Sequence, residues 1–392
     1  MSILRNFFRA DPKCRRSFIY NLVWKGFNTF RKFDKQRRKG SAFPAFQFIS
    51  VTNQCNLQCQ GCWVSQHNGI RHMELSMVNK IIDDSNANGS WFFGILGGEP
   101  LLYPGLTRIF KNHPRSYFQL FTNGLLLNET MAEDLRKSAN VTPLISFEGD
   151  EPVADIRRGG SGVYHRTVKA IETSVAHGLI TGVAISVCKS NIEMALSDSF
   201  VEMLHEKGVV YLWYYIYRPA GAQPCYDLAL SSPEIERLRR FLVEGRKRFP
   251  MVIIDSYWDA DGHPFCPAAE GLSHHINPSG YIEPCPVIQY SCGKVGDENL
   301  KTTYENSGFL KAVKTGIHAQ TRGCVLMENP TWIADLALEH QAINTSGRPE
   351  MEEQLRGNKI VCSHGSCPVI PETNFLYRMG KKKAFFGLGA YG

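Results

Sequence analysis

No apolar run in this chain of 392 residues approaches the ~20 residues that a membrane-crossing helix needs. It also has no low-complexity tract and no exact internal repeat. Its first residues lack the uninterrupted apolar core, followed by small residues, that marks a signal peptide. Residues 1–44 are too short for an obvious leader-peptide domain. Hydrophobic and charged contents of 43% and 21% are ordinary for a globular protein, and the length predicts two or three domains. Twelve cysteines without an export signal read as metal ligands rather than disulfides. The expected setting is cytoplasmic and oxygen-sensitive.

The net charge of +7 is uneven. Residues 1–40 carry twelve Lys/Arg against Asp11 and Asp34, leaving the rest of the chain near −3. No nucleic-acid partner is therefore expected. Ile19, Tyr20, Val23, Trp24, Phe27 and Phe30 fall at helical spacing on one face, with Lys25, Arg31, Lys32 and Lys35 toward others. Such a face can pack on the body of the protein, lie on an anionic membrane surface, or dock a peptide or partner. The basic, Gly-rich tail at residues 372–392 reads as flexible.

From residue 45 the pattern alternates strand and helix, the mark of βα units around a parallel sheet. Strands are expected near 45–51, 90–96, 117–121, 141–147, 181–187 and 209–216, with helices at 77–86, 104–112, 128–138, 163–177 and 196–207. Ser76 is the expected cap of the first of these helices. Six units predict an α/β fold with a partial (β/α)6 TIM-type barrel over residues 45–250, followed by a small cysteine-rich domain over 251–371, which the resemblance below implies is an iron–sulfur domain.

Cys55, Cys59 and Cys62 follow the first strand with the spacing C-x3-C-x2-C. Soft thiolates this close suit zinc, copper(I) or iron–sulfur clusters. Structural zinc wants four ligands and would need His67 as the fourth. Three cysteines on a four-iron cluster instead leave one iron free for another ligand. At later strand ends lie Gly97-Gly98-Glu99-Pro100 and Thr122-Asn123-Gly124. Glycines there let a ligand approach the backbone, and a carboxylate can accept hydrogen bonds from an ammonium group.

Taken together, these residues resemble the radical S-adenosylmethionine (SAM) superfamily. The resemblance implies a [4Fe–4S] cluster on Cys55, Cys59 and Cys62 with SAM on its open iron. It further implies a SAM pocket using Gly97, Gly98, Glu99, Pro100, Thr122, Asn123, Ser146 and Ser186, with Asn191 nearby. The family usually has an aromatic residue just before the third cysteine. Here Gly61 stands there, and Trp63, just after, is the candidate to pack near the adenine. Asp155-Ile156-Arg157-Arg158-Gly159 resembles the D-x-x-R-G of relatives with a SPASM-type extension; a loop salt bridge is the other reading.

Beyond residue 250 come Cys266, Cys285, Cys292, Cys324, Cys362 and Cys367. Cys266, Gly280 and Cys285 fit the opening C-x(9–15)-G-x4-C of SPASM and twitch extensions, and Asn277 to Pro284 reads as a tight hairpin. The full motif has seven cysteines, and only Cys324 stands where it has C-x2-C. The resemblance implies at least one auxiliary [4Fe–4S] cluster, on Cys266, Cys285 and two of the other four. A second cluster, with an open iron or with His364, is the alternative. Pro286, where sulfatase-maturing relatives have Asp, argues against that activity. The implied activity is reductive cleavage of SAM and hydrogen abstraction from a substrate, with a low-potential donor of flavodoxin or ferredoxin type. The substrate is a peptide, or a lipid or small molecule at the membrane surface. A non-catalytic iron–sulfur protein is the remaining alternative.

Overall fold

The computed structural model describes residues 5–40, 43–64, 69–255, 257–364 and 369–383. Its main sheet begins with six parallel strands: β1 (Phe46–Ser50), β2 (Phe92–Leu96), β3 (Tyr117–Thr122), β4 (Val141–Ser146), β5 (Gly182–Val187) and β6 (Tyr211–Ile216). Each strand pairs with the next in chain order, and helices on the outside carry the chain back. The strands are buried almost throughout, so they read as continuous apolar runs without alternation. Inside, Phe48 packs on Phe121 at 5.8 Å and Phe121 on Trp213 at 6.5 Å between ring centroids.

The sheet does not stop at six strands. β7 (Val252–Ile254) joins β6 in parallel. On the far side, β8 (Ser273–Ile276) runs parallel to β1, and β9 (Ile282–Glu283) turns back antiparallel to β8. The order is therefore β7-β6-β5-β4-β3-β2-β1-β8-β9, a barrel left open among the described residues. The boundary read at residue 250 falls inside this one sheet. The sequence hid these three strands because each is short, and β8 is recruited by a partner distant in the chain.

Local signals explain most helix limits. Asn128 caps Glu129–Ser138 by accepting from the Met131 N–H at 2.9 Å. The helix expected over 196–207 is Asp198–Glu206, started by Ser197, which accepts from the Phe200 N–H, and a short helix, Ile192–Ala195, precedes it. Ser76 lies inside its helix, Leu75–Ala87, one position past the first turn's start. The D-x-x-R-G segment is helical rather than a loop: Asp150 caps Glu151–Arg158, with Pro152 in the first turn. The end of the chain departs from the flexible reading as far as residue 383. Phe375–Lys383 is a helix, and Lys381 is buried against Asp255 at 2.9 Å; residues 384–392 lie outside the described residues.

Residues 5–37 form an arm of short helices: Arg5–Arg9, Pro12–Ser17, a π-helical stretch Phe18–Trp24, and Lys25–Arg37. The arm crosses the N-terminal ends of the strands. Asn6 donates to the His205 and Val209 carbonyls ahead of β6, and the Asp11 N–H to the Gly178 carbonyl ahead of β5. Asn21 and Lys25 reach the Pro114 and Arg115 carbonyls ahead of β3, and Thr29 the Gly89 carbonyl ahead of β2. The aromatic stripe is helical, and it divides: Phe30 packs on the body of the protein, while the rest turns outward. Ile19, Tyr20, Val23 and Trp24 are all more than half exposed.

Candidate active site

Ends of parallel strands gather loops at one face, and the C-terminal face of this barrel collects the chemistry. The cysteine loop leaves β1 there. It is fastened to the end of β2 by a short backbone ladder, in which the Gly98 N–H donates to the Thr52 carbonyl at 2.9 Å and the Glu99 N–H to the Gln54 carbonyl at 2.7 Å. A side chain at residue 98 would begin 2.3 Å from the Gln54 carbonyl oxygen, so glycine is required for this approach.

Glu99 is fully buried. Its Oε1 accepts from the Leu101 N–H at 3.0 Å and the Thr122 hydroxyl at 2.7 Å, and its Oε2 accepts from the Asn123 N–H at 2.7 Å. Burial pushes its pKa up while these donors pull it down. A carboxylate offers about four acceptor positions, so three bonds leave room for one more donor. Asn123 also donates to the Asn56 side chain at 2.7 Å, tying β3 to the cysteine loop. Pro100 opens a single 3-10 turn, with the Leu101 N–H held by Glu99. Ser146 and Ser186 stand half-buried at the ends of β4 and β5, on the strand faces that carry the interior residues Ala184 and Tyr215 in register. Asn191 is spent on bracing: its amide donates to the Glu148 and Ser186 carbonyls and its oxygen accepts from the Cys188 N–H.

Cys55, Cys59 and Cys62 share this loop. The guanidinium of Arg158 lies 3.8 Å from the Cys59 sulfur and pairs with Glu148 at 2.6 Å. Burial pushes the Cys55 thiol up to about 11, so ligation requires it to release a proton. Among the described residues no three His, Cys, Asp or Glu side chains are drawn closely enough to hold a single metal ion. His67, which a zinc site would need, lies outside the described residues.

Gly61 has φ +65°, and a side chain there would begin 1.8 Å from the Tyr217 hydroxyl. The aromatic group beside the third cysteine is thus Tyr217, delivered from the end of β6. Trp63 packs edge-on against His275 with ring centroids 5.5 Å apart. The next residue, Arg218, turns to the second cysteine group and stacks 4.9 Å from Tyr257. Cys266, Cys285 and Cys324 line one small cavity with Arg218 and His364, as the hairpin Asn277–Pro284 anticipated. Burial and the neighbouring thiols push the Cys285 thiol well up. Cys362 stands two residues from His364, near this cavity. Cys292 stands apart, exposed and against the His340 carbonyl at 3.4 Å; Cys367 is outside the described residues.

Sequence reasoning missed a buried chain of polar groups. His275 on β8 meets the Ser50 hydroxyl of β1 through Nε2 at 2.7 Å, and Glu283 of β9 through Nδ1 at 2.6 Å. Asn277 and Thr345 donate to the other oxygen of Glu283. The register pairs His275 with Phe48, so the imidazole faces the barrel interior. These side chains form the wall of a cavity of about 230 Å³ that also reaches Trp63, Gly97 and, at its exposed rim, Arg71. Only the pairing of β8 with β1 reveals this triad, because Ser50 and His275 are 225 positions apart.

Residues 49–194 match the family model described as the radical SAM superfamily. An uncharacterized protein of Methanocaldococcus jannaschii is 26% identical over 264 residues, covering 64% of this chain and 88% of that protein. AdoMet-dependent heme synthase of Oleidesulfovibrio alaskensis is 22% identical over 305 residues, 69% of this chain and 78% of that one. Among solved structures, Streptococcus suis SuiB bound to precursor peptide SuiA superposes with a TM-score of 0.62 at 16% identity, over 73% of this chain and 70% of that one. That likeness bears on the fold alone. The matched segment begins in β1, just ahead of the three cysteines, and runs through β5. With the cysteine loop, Glu99 and Asn123 joined at the strand ends as described, residues 49–194 form a radical SAM domain.

Proposed function

We propose that this enzyme modifies a peptide, one side chain of which enters the cavity beside Ser50 and His275. The observation that carries the reading is the cavity itself. At about 230 Å³ it is smaller than the ~300–1,000 Å³ usual for sites that take a whole drug-sized molecule. It suits one residue of a longer chain. The peptide bound to SuiB, on a similar fold, supports the same reading.

A [4Fe–4S] cluster and SAM, when bound, supply a 5′-deoxyadenosyl radical that can take a hydrogen atom from the substrate. Cys55, Cys59 and Cys62 would hold the cluster. Glu99 has the acceptor position that an ammonium group needs, and Asn123 fixes the loop against β3. Tyr217 closes the space beside Gly61. Arg71 at the rim suits a carboxylate of the substrate. His275 is oriented by Glu283, so the Ser50 hydroxyl can accept a proton from a group in the cavity as its own passes to the imidazole. Cys266, Cys285 and Cys324, with a fourth ligand from Cys362, Cys367 or His364, would hold an auxiliary cluster. An external low-potential reductant completes the requirements.

The test is anaerobic reconstitution with SAM and dithionite, with and without a pool of short peptides. 5′-Deoxyadenosine is read by chromatography and peptide masses by spectrometry, beside a Cys55/Cys59/Cys62→Ala control. SAM-dependent mass change in a peptide supports the proposal. Radical formation stimulated by small metabolites, with no peptide altered, refutes the peptide.

A further inference from the structure

The N-terminal arm turns its hydrophobic side outward. Phe8, Tyr20 and Trp24 are 58%, 56% and 62% exposed, and Ile19, Val23 and Phe27 accompany them. The opposite side is held to the barrel by the buried apolar residues Ala10, Cys14 and Phe33 and by polar groups: Asn6, Asn21, Lys25 and Thr29 are buried and bonded to the carbonyls of three interstrand loops. Docking the arm therefore does not require this outward aromatic face, which remains exposed. An exposed apolar surface of this kind marks an interaction site.

What covers it is indicated by charge. Arg5, Arg9, Lys13, Arg16, Arg31 and Lys35 are exposed on the same arm. Its only acidic residues, Asp11 and Asp34, are already engaged, Asp11 by Arg136 and Asp34 by Arg37 and Arg38. Basic and aromatic groups also touch. The Arg31 guanidinium lies 5.5 Å from the Phe27 ring, and Arg16 lines a groove with Phe8, Ile19, Tyr20 and Trp24. Aromatic side chains at the level of headgroups, ringed by cations, are what an anionic bilayer surface takes.

We propose that the arm seats the enzyme on an anionic membrane. Its position sets the orientation. The arm spans the N-terminal ends of the strands, and the cysteine loop leaves the C-terminal ends. Strands of six residues put about 20 Å between these faces. A seated enzyme thus presents its active site away from the lipid, to a substrate arriving from the aqueous side. The surface acts as an anchor and does not draw lipid into the site. This inference rests on the arm alone and stands whether or not the substrate is a peptide.

The experiment is co-flotation of the full-length reconstituted enzyme with vesicles of phosphatidylcholine, with or without phosphatidylglycerol. The Trp24→Ser/Phe27→Ser variant is run beside it, and circular dichroism and 5′-deoxyadenosine formation check that it is intact. The wild type should float with the anionic vesicles only, less so as salt rises. The double substitution should weaken vesicle affinity at least about tenfold. Trp24→Phe should still float but lose quenching by brominated lipid. Failure of the wild type to float at low salt overturns the proposal, as does equal flotation of the double variant. A wild-type dimer that the double substitution converts to monomer would assign the face to a second copy, and so overturn it too.

Discussion

Replacing Glu99 by Gln keeps the shape of a fully buried side chain while removing its charge and one acceptor. The carboxylate serves three donors, from Leu101, Thr122 and Asn123. Wherever the new amide nitrogen sits, it faces at least one backbone N–H that can no longer bond. An unmatched buried donor costs ~1–3 kcal/mol, so the melting temperature falls. SAM loses a charge-assisted partner for its ammonium group, ~1.5–3 kcal/mol, or roughly ten- to a hundredfold in affinity. Equilibrium dialysis of SAM against reconstituted wild-type and Glu99→Gln enzyme measures this, with iron content confirming that the cluster is in place. A Glu99→Gln enzyme that holds its cluster and binds SAM as the wild type does would refute the assignment of Glu99 to the SAM pocket.

Gly61→Ala should cost ~1–3 kcal/mol through its left-handed backbone and the Tyr217 hydroxyl, and should lower the iron bound. In a Tyr217→Ala background the steric share disappears, and a double-mutant cycle on thermal melting reads the coupling. His275→Leu leaves Glu283 buried beside an apolar group and should lose ~2–4 kcal/mol of stability, yet still cleave SAM without substrate. An unchanged melting curve would mean that the triad holds nothing together. Glu328, bonded to Thr321, Ser363 and His364, is held at about 2 in spite of partial burial. A carboxyl whose folded pKa is depressed contributes fully above its unfolded value near 4.5, and loses that contribution as pH falls toward 2. Discounted for solvent screening, about 1–2 kcal/mol is at stake. The protection of the amides at residues 362–364, measured against their intrinsic exchange rates, should therefore fall on acidification, and Glu328→Gln should flatten the profile.

The cysteine loop, the GGEP and TNG strand ends and six of the parallel strands could be read from the chain because each is local. Spacing brings the thiols together, and a glycine pair beside a carboxylate declares a close approach. The arm shows the limit of periodicity. A repeat of aromatic residues defines a face, but the side turned inward depends on which groups find partners. Here the carbonyls of the barrel floor take the polar side. Tyr217 in the space beside Gly61, and Ser50 beside His275, arise from segments far apart in sequence. The helix Glu151–Arg158 was legible after all in Asp150-Glu151-Pro152, an N-cap followed by proline in the first turn.

The pairing of β8 with β1 has a consequence for any attempt to divide the chain. β1 reads Phe-Gln-Phe-Ile-Ser, without a charge or a proline, and its outer row of amides and carbonyls is satisfied by β8. A fragment ending near residue 250 would leave that row open as a bare edge strand, the template on which chains aggregate. The cysteine-bearing hairpin is thus also the guard of the barrel's edge. Swapping it as a module would trade away colloidal stability together with its ligands. Full-length chain should melt in one cooperative step, and the excised barrel should self-associate.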